Sequence, residues 1–241
     1  MSAKQPIIGI TERGDAGLDF SWEKEYARLS CDGVILITKH LSPQFIERAK
    51  DYNSIVHATV TGWGGTSMEP NVPCFTKSMT QFNEAVSILG KERVVLRIDP
   101  IIPTPDGLAR ARTVYNFLTG APTAPTPKYG TRVRISFMDN YPHVKARFKW
   151  AGLEPVSYNF HAPLIIRKEA ARFFPGAEIC GEPGMACTGC TSERDLKILG
   201  IESAAIPMGR QRPECKCLAV KRELLSRRGQ CASGCLYCYW K

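Results

Sequence analysis

Short apolar runs, rich in β-branched residues, alternate with amphipathic stretches through the first two thirds of the chain. That is the pattern of βα units winding around a parallel sheet. The strand-like runs are Ile7 to Thr11, Val34 to Thr38, Ile55 to Thr61, Val94 to Ile98 and Val133 to Phe137. Each is followed by a polar or glycine-bearing loop. The helix-like stretches between them are Ser21 to Leu29, Pro43 to Asp51, Lys77 to Leu89 and Leu108 to Leu118. In the third, Met79, Phe82, Ala85, Val86 and Leu89 recur at helical spacing and read as a core face. Ala121 to Pro127, with three prolines in seven residues, reads as a connector. Beyond Tyr141 the pattern weakens to a helix at Pro163 to Phe174, a sixth strand at Ala177 to Cys180 and a helix at Ser192 to Leu199 opened by Ser192 or Thr191.

Five or six such units fall short of the eight that close a (β/α)8 barrel. The sequence therefore predicts an α/β fold: a partial (β/α)6-type barrel over residues 1–175, followed by a cysteine-rich region over 176–241. In parallel α/β structures the chemistry sits at the C-terminal ends of the strands.

Composition narrows the context. No run of the 241 residues approaches the roughly 18 consecutive apolar residues of a membrane span, and Met1 to Pro6 lacks a signal-like layout, so a cytoplasmic protein without a membrane partner is expected. The formal charge is +9 and the pI about 9.1, which favours a polyanion, nucleic acid first, over a merely basic surface. The densest basic run, Lys221, Arg222, Arg227 and Arg228, reads as a short basic helix, either a solvated face or a phosphate contact.

Eight of the ten cysteines lie between Cys180 and Cys238. In a reducing compartment such crowding reads as metal ligation rather than disulfides, whereas the isolated Cys31 and Cys74 read as buried thiols. Cys231, Cys235 and Cys238 can hold three irons of a [4Fe-4S] cube and leave the fourth open to an exogenous ligand. Cys187 and Cys190 (C-x-x-C) with Cys215 and Cys217 (C-x-C) supply four more thiolates for an auxiliary [4Fe-4S] cluster or a zinc, and Cys180 can replace one of them; iron-sulfur is favoured over zinc. His40, His57, His143 and His161 show no metal spacing and read as structural or solvent-facing, with His57 placed on a core strand where it can point into the barrel.

The spacing Cys231, Cys235, Cys238, with Tyr237 before the third thiol, resembles the signature of the radical S-adenosylmethionine (SAM) superfamily, where it commonly follows the first barrel strand. Two further segments resemble the spore-photoproduct-lyase branch: Thr61-Gly62-Trp63-Gly64-Gly65 leading to Glu69-Pro70, and Arg97-Ile98-Asp99-Pro100-Ile101-Ile102-Pro103. A bacterial and phage family related to that branch, with the motif at the C-terminus, is similar at Ile8 to Thr11, Thr38-Lys39, Ser136, Phe137, Asp139, Tyr141, Cys215-Lys216-Cys217 and the closing cysteines. That family leads one to expect a further cysteine after Gly200-Ile201; Glu202 to Met208 has none, and Cys187 can take its place, which leaves the auxiliary ligand set open.

The resemblance implies a radical SAM barrel with the cluster motif delivered by the C-terminal tail to the mouth of the first strand. It implies a [4Fe-4S] cluster with SAM, an external one-electron reductant, and cleavage of SAM to a 5′-deoxyadenosyl radical that takes hydrogen from substrate. SAM's amino and carboxylate groups need a protein carboxylate and a cation. Glu69, at the end of the Gly64-Gly65 loop, and Arg97 are the respective candidates. Asp99 and Asp139 would serve ribose hydroxyls or substrate, Ser136 either, and Tyr237 would pack on cluster or adenine; the alternatives are a structural Arg97–Asp99 pair and a core Tyr237. The expected substrate is a DNA base, an amino-acid-adducted thymidine rearranged by an isomerase in phage DNA within the host cytoplasm, with Trp63 stacking on the extruded base. The rivals are a radical SAM enzyme acting on a peptide or small metabolite and a zinc-stabilised nucleic-acid-binding module.

Overall fold

A computed structural model describes residues 5–120, 130–154, 156–202, 206–209, 214–225 and 231–240. The chain runs β1 (Ile8–Ile10), α1 (Trp22–Leu29), β2 (Gly33–Thr38), α2 (Pro43–Lys50), β3 (Ser54–Thr59), α3 (Phe75–Leu89), β4 (Val94–Ile101), α4 (Pro105–Thr119) and β5 (Arg132–Phe137). It continues through α5 (Pro142–Trp150), α6 (Leu164–Ala171), β6 (Glu178–Ile179), α7 (Glu193–Ile198) and β7 (Lys221–Glu223). The strands form one all-parallel sheet in the order β6-β5-β4-β3-β2-β1-β7, curled into an open half-barrel.

Local sequence explains most of the helix starts. Proline stands in the first turn of α2, α4 and α5, where its missing N–H costs nothing. Ser42 and Thr104 cap α2 and α4 by accepting from Phe45 N and Gly107 N, and Ser192, not Thr191, caps α7 in a reciprocal box with Asp195.

Alternation along the strands sorts side chains to two faces. Val34, Leu36, Val56, Ala58, Leu96 and Ile98 pack under the helices with Phe45, Met79, Phe82 and Tyr115. Ile8, Ile10, Ile35, Ile37, Ile55 and Val95 face the concave side, where Leu196, Leu199, Leu218, Val220, Cys190 and Cys217 cover them. Burial on both faces is why the strands read as continuous apolar runs. The cysteine-rich region thus fills the hollow of the half-barrel and contributes β6 and β7 to its sheet.

The differences from expectation have physical causes. Among the described residues the sheet has seven strands, not six, because Lys221 and Arg222 form β7 beside β1 rather than a basic helix. Val220, Leu224 and Leu225 flank that strand and are buried, and Glu12 neutralises Lys221. Arg227, Arg228 and the Ala121 to Pro127 connector lie outside the described residues. α5, whose weak amphipathicity hid it, is a real helix. Cys31 is buried and its thiol is pushed up to about 11 by burial first, then by Asp32. Cys74 is exposed at the start of α3, contrary to expectation. Among the described residues no helix is long and apolar enough to cross a membrane.

Candidate functional site

The C-terminal ends of the strands open into a cavity of about 350 Å³. Its wall takes Glu12 and Asp15 from the loop after β1, Lys39 after β2, Thr59 at the end of β3, Arg97 and Asp99 from β4, Ser136 from β5 and Asp139 just after it. The β4 and β5 members arrive there by alternation, since Val95, Arg97 and Asp99 share the concave side, as do Arg132, Arg134 and Ser136.

Residues 231–240 cross the mouth of this cavity, pinned to the loops after the first three strands. Leu236 N donates to Met68 O at 3.0 Å, Asn71 Nδ2 to Ala232 O at 2.8 Å, and His40 Nε2 meets Ser233 Oγ at 3.0 Å. Tyr239 Oη and Trp240 Nε1 both donate to Glu12 O, at 3.1 and 3.3 Å. From α5, Arg147 donates to Cys238 O at 2.6 Å and Trp240 O at 2.8 Å. Cys231, Cys235 and Cys238 all line the cavity. The charged neighbours of Cys235 and Cys238 are the other motif thiols with Lys39, Glu69 and Arg147. Burial pushes the Cys235 thiol up to about 12 against the pull of Lys39, and burial likewise raises Cys238.

Lys39 organises the mouth. Its ammonium donates to Glu69 Oε1 at 2.8 Å and to Tyr237 Oη at 2.9 Å. Burial works against that charge, but Glu69 and Cys235 outweigh it and raise the pKa. Glu69 is 1% exposed and does not line the cavity, nor do Gly64 and Gly65. The two glycines shape the loop instead: Gly65 N donates to Glu69 O at 3.1 Å, and a Cβ on Gly64 would meet Pro73 O at 2.0 Å. Tyr237 is buried against Met68, Ile102, Met138, Val144 and Phe148 while its hydroxyl reaches Lys39.

Arg97 and Asp99 form an ion pair on the cavity wall. Burial opposes the Asp99 charge, yet Arg97, a hydrogen bond from Ser136 and Lys39 together hold its carboxyl below the ordinary value. Asp139 Oδ1 lies 2.8 Å from His161 Nδ1. Trp63 carries the Arg110 guanidinium 4.2 Å above its ring and does not line the cavity, whereas Tyr141, Tyr239 and Trp240 do. His57 is fully buried and its ring nitrogens have no hydrogen-bond partner among the described residues; burial, then Arg134 and Arg97, holds it well below its ordinary pKa and therefore neutral.

A second set of thiols lies deeper. Cys190 Sγ is 3.2 Å from Cys217 Sγ; Cys180 hydrogen-bonds to Cys190, and Cys215 to Cys217. The hydrogen bond with Cys217 is the main reason the Cys215 thiol is pulled down to about 6. All four line the cavity, whereas Cys187 does not and is engaged by the backbone of Glu182 at 3.2 Å. Glu12 accepts from Cys190 Sγ at 3.1 Å and from Lys221 Nζ at 2.8 Å. The segments carrying these thiols approach so closely that a Cβ on Gly189 would meet Lys216 O at 2.4 Å. Among the described residues no three His, Cys, Asp or Glu side chains are gathered as the ligands of a single ion would be.

Sequence reasoning assigned no role to Lys39, Glu12, Asp15 or Arg147. The first three follow strands and were open to the strand-end rule; Arg147 depended on the unanticipated α5. A family model described as Domain of unknown function (DUF1848) matches residues 22–240, from the start of α1 through both thiol sets. No curated protein matches the chain.

Proposed function

The chain belongs to the DUF1848 family of domains of unknown function, and we propose that it is a radical SAM enzyme acting on a nucleic-acid base. The observation that carries this reading is the seating of Cys231, Cys235 and Cys238 across the strand-end mouth, in the wall of a cavity shared with Arg97, Asp99, Ser136 and Asp139. The donor set fits a [4Fe-4S] cluster: three thiols from one segment leave one iron without protein sulfur, and the cations Lys39 and Arg147 stand beside them. Such a cluster, with SAM on its open iron, supplies reductive cleavage of SAM and the organic radical that takes hydrogen from a substrate.

The chain's own side chains bind and orient. Lys39, fixed by Glu69 and Tyr237 beside Cys235, is the cation suited to SAM's carboxylate, with Arg97 second. Glu69 acts through Lys39 rather than by touching ligand. Asp99, kept ionised, and Asp139 offer oxygens to an ammonium or to ribose hydroxyls. Tyr239 and Trp240 form an aromatic rim, their rings 4.9 Å apart.

The net charge of +9 supports a polyanionic substrate. A cavity of about 350 Å³ takes a small ligand and not a duplex, so a DNA base would have to leave its stack to enter. An adducted thymidine in phage DNA, rearranged in an isomerase reaction, is the substrate proposed. The test is anaerobic incubation of reconstituted, reduced protein with SAM and hypermodified phage DNA, followed by digestion to nucleosides. The expected result is 5′-deoxyadenosine and an altered nucleoside, both lost in Cys235→Ala. SAM cleavage without any altered nucleoside would move the substrate to a peptide or metabolite. A colourless zinc protein that leaves SAM intact would overturn the reading.

A further inference from the structure

We propose that Cys180, Cys190, Cys215 and Cys217 ligate a second [4Fe-4S] cluster in the floor of the cavity, independently of the thiols at its mouth. The four come from three separate segments, yet all line one cavity, and Cys190 Sγ lies 3.2 Å from Cys217 Sγ. A fold has no need to bring four thiols together in a hollow that apolar side chains already line. Cys187, the obvious partner of Cys190 in the C-x-x-C spacing, is turned away to the Glu182 backbone.

The surroundings are those of a buried anion. Four thiols that bind a cluster release four protons and leave net negative charge, which an apolar hollow does not tolerate unaided. Lys221 Nζ stands 3.9 Å from Cys190 Sγ. Arg134, fully buried, donates from Nε and Nη2 to Glu178 but leaves Nη1 with no partner among the described residues; Cys180 and Cys190 are its sulfur neighbours. An unmatched guanidinium N–H at full burial is costly unless something accepts from it, and cluster or cysteine sulfur is such an acceptor.

The choice of cluster over zinc follows from room: the four thiols line a cavity of about 350 Å³, which a cube with one sulfur at each corner can occupy and a single ion would leave largely empty. With four protein sulfurs no iron stays open, so substrate does not coordinate this cluster.

The test uses the full chain with Cys231→Ala, Cys235→Ala and Cys238→Ala, reconstituted anaerobically with iron and sulfide. About four irons and matching acid-labile sulfide, with an EPR signal on reduction, are expected, against about eight irons in the unmodified protein. In that background Cys187→Ala keeps the iron, and Cys180→Ala or Cys215→Ala loses most of it while the circular dichroism of the metal-free forms is unchanged. The proposal is overturned if the triple variant holds no iron, if it holds one zinc instead, or if Cys187→Ala empties the site and Cys180→Ala does not. Four irons in the triple variant alongside no SAM cleavage by the unmodified protein would sink the radical SAM reading and leave this site standing.

Discussion

Replacing Lys39 by methionine keeps the apolar stem and removes the charge that holds the mouth together. Its ammonium lies 2.8 Å from a Glu69 carboxylate whose side chain is 1% exposed. Deleting one partner of a buried pair strands the other, at a cost of about 3–5 kcal/mol. For a domain of this size roughly 2–4 °C of melting temperature accompanies each kcal/mol, so Lys39→Met is expected to melt roughly 6–20 °C lower, the product of those two ranges. The assay is thermal unfolding of metal-free protein, compared with Glu69→Gln and the double variant in one cycle. Because the double variant leaves no stranded charge, it should recover more than half of the Lys39→Met loss. Tyr237 loses its donor as well, so chymotryptic cleavage in residues 231–240 should quicken in Lys39→Met. A melting shift under about 2 °C, or single effects that add within about 0.5 kcal/mol, would refute the claim that Lys39 and Glu69 work as a unit.

Three further outcomes are expected. Gly189→Ala places a methyl 2.4 Å from Lys216 O, forcing apart the segments that bear Cys190 and Cys217; iron bound by the Cys231/Cys235/Cys238 triple variant should fall by more than half, and an unchanged iron content would contradict the packing. Arg147→Ala removes both N–H donors to the carbonyls of Cys238 and Trp240, costing about 1.5–3 kcal/mol, the scale of one charge-assisted bond because the freed carbonyls regain water; urea titration and faster cleavage at Tyr239 check it. Glu223 is raised by burial, and then by Glu12, from its ordinary 4.5 to about 7 against donors from Leu225 N and Glu12 N. The folded state therefore binds that proton more tightly than the unfolded chain, its contribution is present below about pH 4.5 and is lost as pH rises through 7. Glu223→Gln should flatten the decline in stability over that window, and an unaltered pH profile of urea midpoints would exclude the residue.

Much of the frame was readable because period and turn chemistry agree along β2 to β5 and their helices, where each strand is apolar on the face that packs under the helices. β7 was not, since Lys221-Arg222-Glu223 looks like a solvated charge run; its partners Ile8 to Ile10 and the counter-charge on Glu12 lie more than 200 residues away in sequence. The gathering of Cys231, Cys235 and Cys238 in one cavity wall agrees with their spacing. Which inner thiols line that cavity was not legible, because a C-x-x-C spacing cannot say that Cys187 meets the Glu182 backbone while Cys180 lines the cavity. Glu69 was singled out by its loop, but only packing reveals that Lys39 stands between it and the cavity.

The order of the chain also sets an order in time. Strands β1 to β6 and the loops that receive the mouth thiols precede residue 180, whereas β7 and residues 231–240 arrive later and dock onto loops already waiting beside β1, β2 and β3. A nascent chain therefore carries strands β1 to β6 before it owns the thiols of the mouth, and whatever Cys231, Cys235 and Cys238 hold can be held only by a chain whose other described elements have all been made.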